Sequence, residues 1–228
     1  MPEPGGTAIG PRPGRGYTLV VRGRFIAIEG LDGAGISTQA RRLALRLDRE
    51  GVSYYCTREP SDGPVGSQIR LALTGRLTVD PTTLALMFAA DRSDHLHHAV
   101  EPRLRAGVHV VTERQVLSSL AYQGAQLGDR AWVRAINREN TRRLSPDLTL
   151  FLDVPPRTAL ARIDASRHAR ELFERPETLT TTRAAFLEAI DELRAEGQRV
   201  EVVDATQPID RIEEQIAAKV LALIRGGA

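Results

Sequence analysis

The sequence predicts an α/β protein, a doubly wound parallel sheet of five strands flanked by helices. Three observations carry this prediction. Five short apolar runs recur along the chain: Phe25–Ile28, Val52–Cys56, Val108–Val111, Leu148–Val154 and Val200–Val203. They read as strands buried on both faces, the pattern of a parallel sheet. Between them, apolar residues return at helical spacing, with Ala40, Leu43, Ala44 and Leu47 on one face and Ile209, Ile212, Ile216 and Val220 on another. The first run also stops at a glycine-rich turn that opens onto a helical pattern.

Taken in order, residues 1–23 are rich in proline and glycine and lack a signal-peptide core. They are expected to form a flexible tail, leaving 24–228 as the folded domain. The run Phe25–Ile28 leads into "EGLDGAGIST". There, Gly30-x-x-x-x-Gly35-x-Ser37 has the spacing of a phosphate-binding loop, with Ile36 in the slot that normally holds lysine. Glycines let such a backbone wrap phosphate oxygens with its N–H groups turned inward, and the following helix adds its positive end. Gly30, Gly33, Ala34, Gly35, Ile36, Ser37 and Thr38 are the candidate nucleotide cradle, with the Ser37 hydroxyl placed toward Mg²⁺. A turn that binds nothing is the other reading of these residues. Further on, Glu113 closes an apolar strand, where a carboxylate can orient Mg²⁺ or its water. From Arg162 to Leu179 the chain is charged and arginine-rich, and it loses apolar periodicity at its centre. That segment is either a mobile lid, at about residues 165–180, or a solvated helix end and loop.

The composition narrows the function classes. A length of 228 residues suits one domain with a small lid. A net charge of +2 argues against holding nucleic acid by bulk electrostatics. No apolar stretch reaches the ~20 residues that span a bilayer. The single cysteine, Cys56, excludes an intramolecular disulfide and suits a reducing cytoplasm, and its apolar run predicts a buried thiol. Lys219 is the one lysine, so only arginines can stand in for the missing loop lysine. His95, His97 and His98 lie near Asp91 and Asp94 at helical spacing, which predicts side-chain pairs four residues apart rather than a metal site.

Four further segments, "CTREP" (Cys56–Pro60), "MFAADRSDHL" (Met87–Leu96), "VVTERQVLSSLAYQG" (Val110–Gly124) and "PDLTLFLDVPP" (Pro146–Pro156), follow the loop in that order. With them the chain resembles the thymidylate kinase family from about Phe25 to Leu223. The resemblance implies a P-loop kinase fold, usually a homodimer, that transfers the γ-phosphoryl of ATP to dTMP with Mg²⁺. It implies that Phe88 stacks on thymine and that Arg92 reaches the base edge. Arg58 and Arg114 would approach the acceptor phosphate. Ser119, Tyr122 and Gln123 would border base and sugar, and Asp32 would sit near the transferred phosphoryl. The segment Asp204 to Pro208 would lie beside adenine. From the residues alone, Phe88 could equally be core and the arginines structural ion-pair partners.

Three departures fall on chemistry. The loop lysine is Ile36, the family's Asp-Arg-Tyr or Asp-Arg-His is Glu113-Arg114-Gln115, and its lid Asp-Arg-Phe-Glu is Glu171-Leu172-Phe173-Glu174. Family members with no basic residue inside the loop tend to carry catalytic arginines on the lid. Gly33 is not basic, so the resemblance makes Arg167, Arg170 and Arg175 the candidates. Losing one preorganised donor costs about 10²–10³ in rate. An arginine delivered from elsewhere is worth on the order of 10³–10⁵. The expectation is therefore a dTMP kinase, at full or reduced rate. The competing reading is a nucleotide-binding relative without transfer, acting as regulator or partner subunit, and a third is a kinase for another small phosphate-bearing metabolite.

Overall fold

The computed structural model describes residues 21–166 and 176–226. Its five strands, β1 (Phe25–Gly30), β2 (Tyr54–Arg58), β3 (His109–Glu113), β4 (Leu148–Asp153) and β5 (Val200–Asp204), are all parallel, in the order β2-β3-β1-β4-β5. The order reverses at β1, between β3 and β4. In open parallel sheets the crevice at such a switch point, at the carboxyl ends of the strands, is where ligands bind.

The helices are α1 (Ile36–Arg49), α2 (Pro64–Leu73), α3 (Pro81–His95), α4 (Glu101–Arg105), α5 (Val116–Leu127), α6 (Arg130–Arg143), α7 (Pro156–Ser166), α8 (Pro176–Ala195) and α9 (Ile209–Arg225). A π-helical turn, Leu96–Val100, joins α3 to α4. Helices α1 and α9 pack together over one face of the sheet, and α5 and α8 pack together over the other. Leu43 and Leu47 of α1 and Ile212, Ile216 and Val220 of α9 are buried in the same core. Each fully buried leucine or isoleucine of this kind is worth roughly 1.5–3 kcal/mol over its exposed state. Residue Ile209, predicted on that buried face, is instead 53% exposed, because it opens α9 at the rim of a cavity.

Burial on both faces holds for β1 and for most of β4. It fails at the two sheet edges, β2 and β5, where residues alternate between covered and open. Cys56 is consequently exposed on the edge strand, not buried. Its thiol is still pushed up to about 11, chiefly by local desolvation and then by the carboxylates of Glu113 and Asp48, so exposure does not make it reactive. Strand β2 also begins later than the apolar run: Gly51, at φ 66°, turns the chain, and the Val52 N–H closes back on the Leu47 carbonyl. The strand therefore runs on to Arg58 and delivers it at the carboxyl end of the sheet.

Only one of the predicted helical histidine pairs forms. His98 meets Asp94 at 2.9 Å, whereas His95 is buried and bridges Thr57 (2.7 Å) and Glu59 (3.3 Å). Asp91 instead receives the Ser61 N–H and hydroxyl. Among the described residues no group of three His, Cys, Asp or Glu could hold a metal ion. Lys219 on α9 pairs with Glu201 of β5, away from the glycine-rich loop. Of the expected tail, residues 1–20 lie outside the described residues. Gly23 is tied in by its N–H to the Leu104 carbonyl at 2.8 Å.

Candidate functional site

At the carboxyl ends of the strands lies a cavity of about 670 Å³. One wall is the glycine-rich loop. Strand β1 ends at Gly30, and Gly33 and Gly35 take φ of 80° and 95° before α1 begins at Ile36. Gly33 admits no side chain, because a Cβ there would stand 2.3 Å from the Ala159 carbonyl oxygen on α7. Gly35 caps α1 without a side-chain acceptor, and the first turn of α1 holds no acidic residue. The first N–H groups of the helix and its positive end are thus left to an anion.

Ile36 sits in the lysine slot at 7% exposure, packed into the main core while still lining the cavity. The Ser37 hydroxyl donates to the Glu113 carboxylate at the end of β3. Two hard oxygen donors from different elements thus meet beside the glycine-rich loop, a donor set that suits Mg²⁺. The one-methylene extension from aspartate to glutamate does not keep Glu113 from that position.

The opposite wall carries the predicted acceptor residues. Arg58, Phe88, Arg92, Arg114, Ser119, Tyr122 and Gln123 all line the same cavity as Asp32 and the loop from Gly33 to Thr38. Gly30 lies beneath, as the last residue of β1. Arg92 is buried, with its guanidinium donating to Glu59 (2.9 Å), Ser119 (3.1 Å) and the Asn137 side-chain oxygen. Burying an unpaired guanidinium would be prohibitive, and Glu59 supplies the counter-charge. Phe88 is half-buried: it packs against the α2–α3 cluster and also lines the cavity. Arg58 is exposed and tethered to Asp62 at 2.9 Å, a pairing that holds the Asp62 carboxyl below its usual range.

Arg114 has the most constrained position. It is the one non-glycine among the described residues with positive φ, 68°. For an ordinary side chain that conformation costs roughly 1–3 kcal/mol, and such strain concentrates at functional sites. Its N–H bonds the Ile28 carbonyl, and its own carbonyl accepts from Thr112. The guanidinium reaches the Gly30 carbonyl (2.9 Å), the Ser118 hydroxyl (3.1 Å) and Asp32 (2.5 Å). Tyr122 donates to the other Asp32 oxygen at 3.0 Å. Burial, with Asp32 adding to it, drives the Tyr122 phenol well above its ordinary pKa, so it remains a donor. Gln115, in the family's aromatic position, turns its side-chain oxygen onto the Val116 N–H at the start of α5.

Arg167 and Arg170, and with them Arg175, lie outside the described residues. The cavity has another arginine that the sequence did not single out: Arg162 of α7, held by the Ala205 carbonyl at 3.0 Å just beyond β5. Glu29 and Glu59 are two further buried carboxylates that the motif pattern does not mark. Each is a carboxylate inside or next to an apolar strand, and that misplaced charge was the available signal.

A protein-family model described as thymidylate kinase matches residues 28–216. A probable thymidylate kinase of Pyrobaculum aerophilum is 43% identical over 202 residues, covering 88% of this chain and 96% of the relative. The thymidylate kinase of Thermomicrobium roseum is 38% identical over 205 residues, 89% of this chain and 97% of its own. That of Bordetella petrii is 40% identical over 211 residues, 90% and 98% respectively.

Proposed function

Because the chain belongs to the thymidylate kinase family, we propose that it transfers the γ-phosphoryl group of ATP to dTMP, giving dTDP and ADP. One observation carries this reading: the glycine-rich loop and the acceptor residues Phe88, Arg92 and Arg114 line one continuous cavity. In phosphoryl transfer the protein mainly aligns two anions and offsets charge, with little covalent work. An acceptor phosphate oxygen bonds to the γ-phosphorus as the β–γ bridging bond breaks, and ADP leaves.

ATP phosphates lie in the loop against the first N–H groups of α1. Ser37 and Glu113 would hold Mg²⁺, which would neutralise phosphate charge. Arg58 and Arg114 hold the acceptor phosphate, with Asp32 orienting Arg114. Phe88 stacks on the base, Arg92 donates to its edge, and Ser119, Tyr122 and Gln123 close the pocket around base and sugar. Arg162, with Arg167 and Arg170, supplies part of the positive charge that Ile36 lacks. Exposed Leu71 on α2 and Leu86 on α3 support a homodimer through these helices, which sedimentation of Leu86→Glu as a monomer would bear out and an unchanged dimer would refute. No helix among the described residues is long and apolar enough to cross a membrane, and the proposed site of action is the cytoplasm.

The test is direct. Purified protein with Mg·ATP and each nucleoside monophosphate in turn is followed for ADP formation, with ATP and dTMP binding measured by calorimetry. Turnover selective for dTMP is the expected result. Tight binding of both nucleotides with no turnover on any acceptor would overturn it. Buried, uncharged Ile36 in the lysine slot is the feature that favours that competing outcome, a nucleotide-responsive partner protein.

A further inference from the structure

Glu29 occupies the middle of the sheet and is fully buried, on the strand that leads into the glycine-rich loop. It touches no part of the cavity. Its carboxyl group accepts the Gln115 N–H at 2.8 Å and the Ser118 N–H at 3.2 Å, and the Ser118 hydroxyl donates to its second oxygen. Those groups open α5, so a side chain from β1 does from outside what an N-cap residue does from within. Ser118 is also the acceptor for the Arg114 guanidinium. Arg114 itself sits immediately before Gln115, in its left-handed backbone conformation.

From this geometry we infer that Glu29 is a positioning residue. Through Ser118 and the start of α5 it holds Arg114 strained and aimed at the acceptor phosphate. The inference rests on the proposed role of Arg114. The left-handed backbone cannot hold itself. Released from Gln115 and Ser118, residue 114 relaxes toward the common negative-φ basins, and the guanidinium swings off the Gly30–Asp32 seat. A misplacement of about 1 Å in such a positioning group costs on the order of 10²-fold in rate. Desolvation raises the Glu29 carboxyl to about 7, so part of the population is protonated at neutral pH, and either form can accept the two N–H bonds.

The test is a double-mutant cycle on the full chain. dTMP affinity is read by calorimetry, and kcat and KM for each substrate by ADP formation. The single variants are Glu29→Ala, Glu29→Gln, Ser118→Ala and Arg114→Ala, combined with the doubles Glu29→Ala/Arg114→Ala and Ser118→Ala/Arg114→Ala. The expected result is a dTMP affinity at least tenfold weaker in Glu29→Ala, with ATP affinity within twofold of the parent. Glu29→Gln, which keeps an acceptor oxygen, recovers most of that loss. Neither Glu29→Ala nor Ser118→Ala weakens dTMP further once Arg114 is gone. Should Glu29→Ala not fold, a Glu29→Gln/Arg114→Ala double carries the same coupling through the smaller loss of Glu29→Gln. Additive losses in both doubles, or equal losses for ATP and dTMP, overturn the inference while leaving Arg114 in its proposed role. An Arg114→Ala protein that binds dTMP as tightly as the parent overturns that role, and the inference with it.

Discussion

At the scale of single residues, Ile36 separates binding from chemistry. The backbone cradle and the helix end survive a lysine-to-isoleucine exchange, since neither uses that side chain. What is lost is a mobile positive charge at the moment charge moves between phosphates. Ile36→Lys should therefore raise kcat by about tenfold or more, while KM for ATP changes little. Its aliphatic stem can follow the isoleucine's packing and carry its ammonium into the cavity that Ile36 already borders. An unchanged kcat in steady-state assays would mean that arginines already supply the charge in full. The same scale explains what the sequence concealed. Arg58, Phe88, Arg92 and Arg114 were legible because they stand in ordered motifs. Glu29 was not, because its partners Gln115 and Ser118 lie far along the chain and only the fold brings them to it.

At the scale of elements, the glycine-rich loop is held to its path by α7. Gly33→Ala meets both obstacles at once, a left-handed φ of 80° and the Ala159 carbonyl 2.3 Å from the new Cβ. Gly35→Ala meets only the first, because nothing lies within 4 Å of its Cβ. The strain alone is worth roughly 1–3 kcal/mol. Gly33→Ala should thus lose more than tenfold in ATP affinity by calorimetry and melt earlier than Gly35→Ala. Equal losses for the two would show that backbone strain, not the α7 contact, decides. Strands were placed nearly correctly by their apolar runs because a buried parallel strand leaves an uninterrupted signal. The misplaced ones, β2 and the open face of Cys56, are edge features. Whether a strand has a neighbour on both sides is set by pairings far apart in sequence, and no local pattern reports it.

At the scale of the whole molecule, stability couples to pH through the centre of the sheet. Glu29 is held at about 7 in the fold against an ordinary 4.5. Between those values the folded protein binds a proton that the unfolded chain has released, so stability falls as pH rises. The contribution is complete below pH 4.5 and is lost through pH 7, a swing of about 3 kcal/mol at most. Glu29→Gln should flatten the difference in Tm between pH 6 and pH 8. A Tm profile identical to the parent's would show that the carboxyl titrates elsewhere. The overall architecture was readable from the alternation of apolar runs and helical faces. The strand order was not, although it is the order that sets the cavity at β1.

That order has a consequence for how the protein is made. β1 emerges first from the ribosome, yet its two neighbours are β3 and β4, the latter beginning at Leu148. At ~5–20 residues per second, the 117 residues between Gly30 and Leu148 take roughly 6–23 s to synthesise, before the exit tunnel is counted. Throughout that interval the hexapeptide FIAIEG, apolar but for Glu29 and Gly30, has no complete partner set, and the nucleotide loop attached to it has no floor. The newborn chain thus acquires its binding site late, after β4 has come in beside a strand made long before it and α7 and α9 have followed.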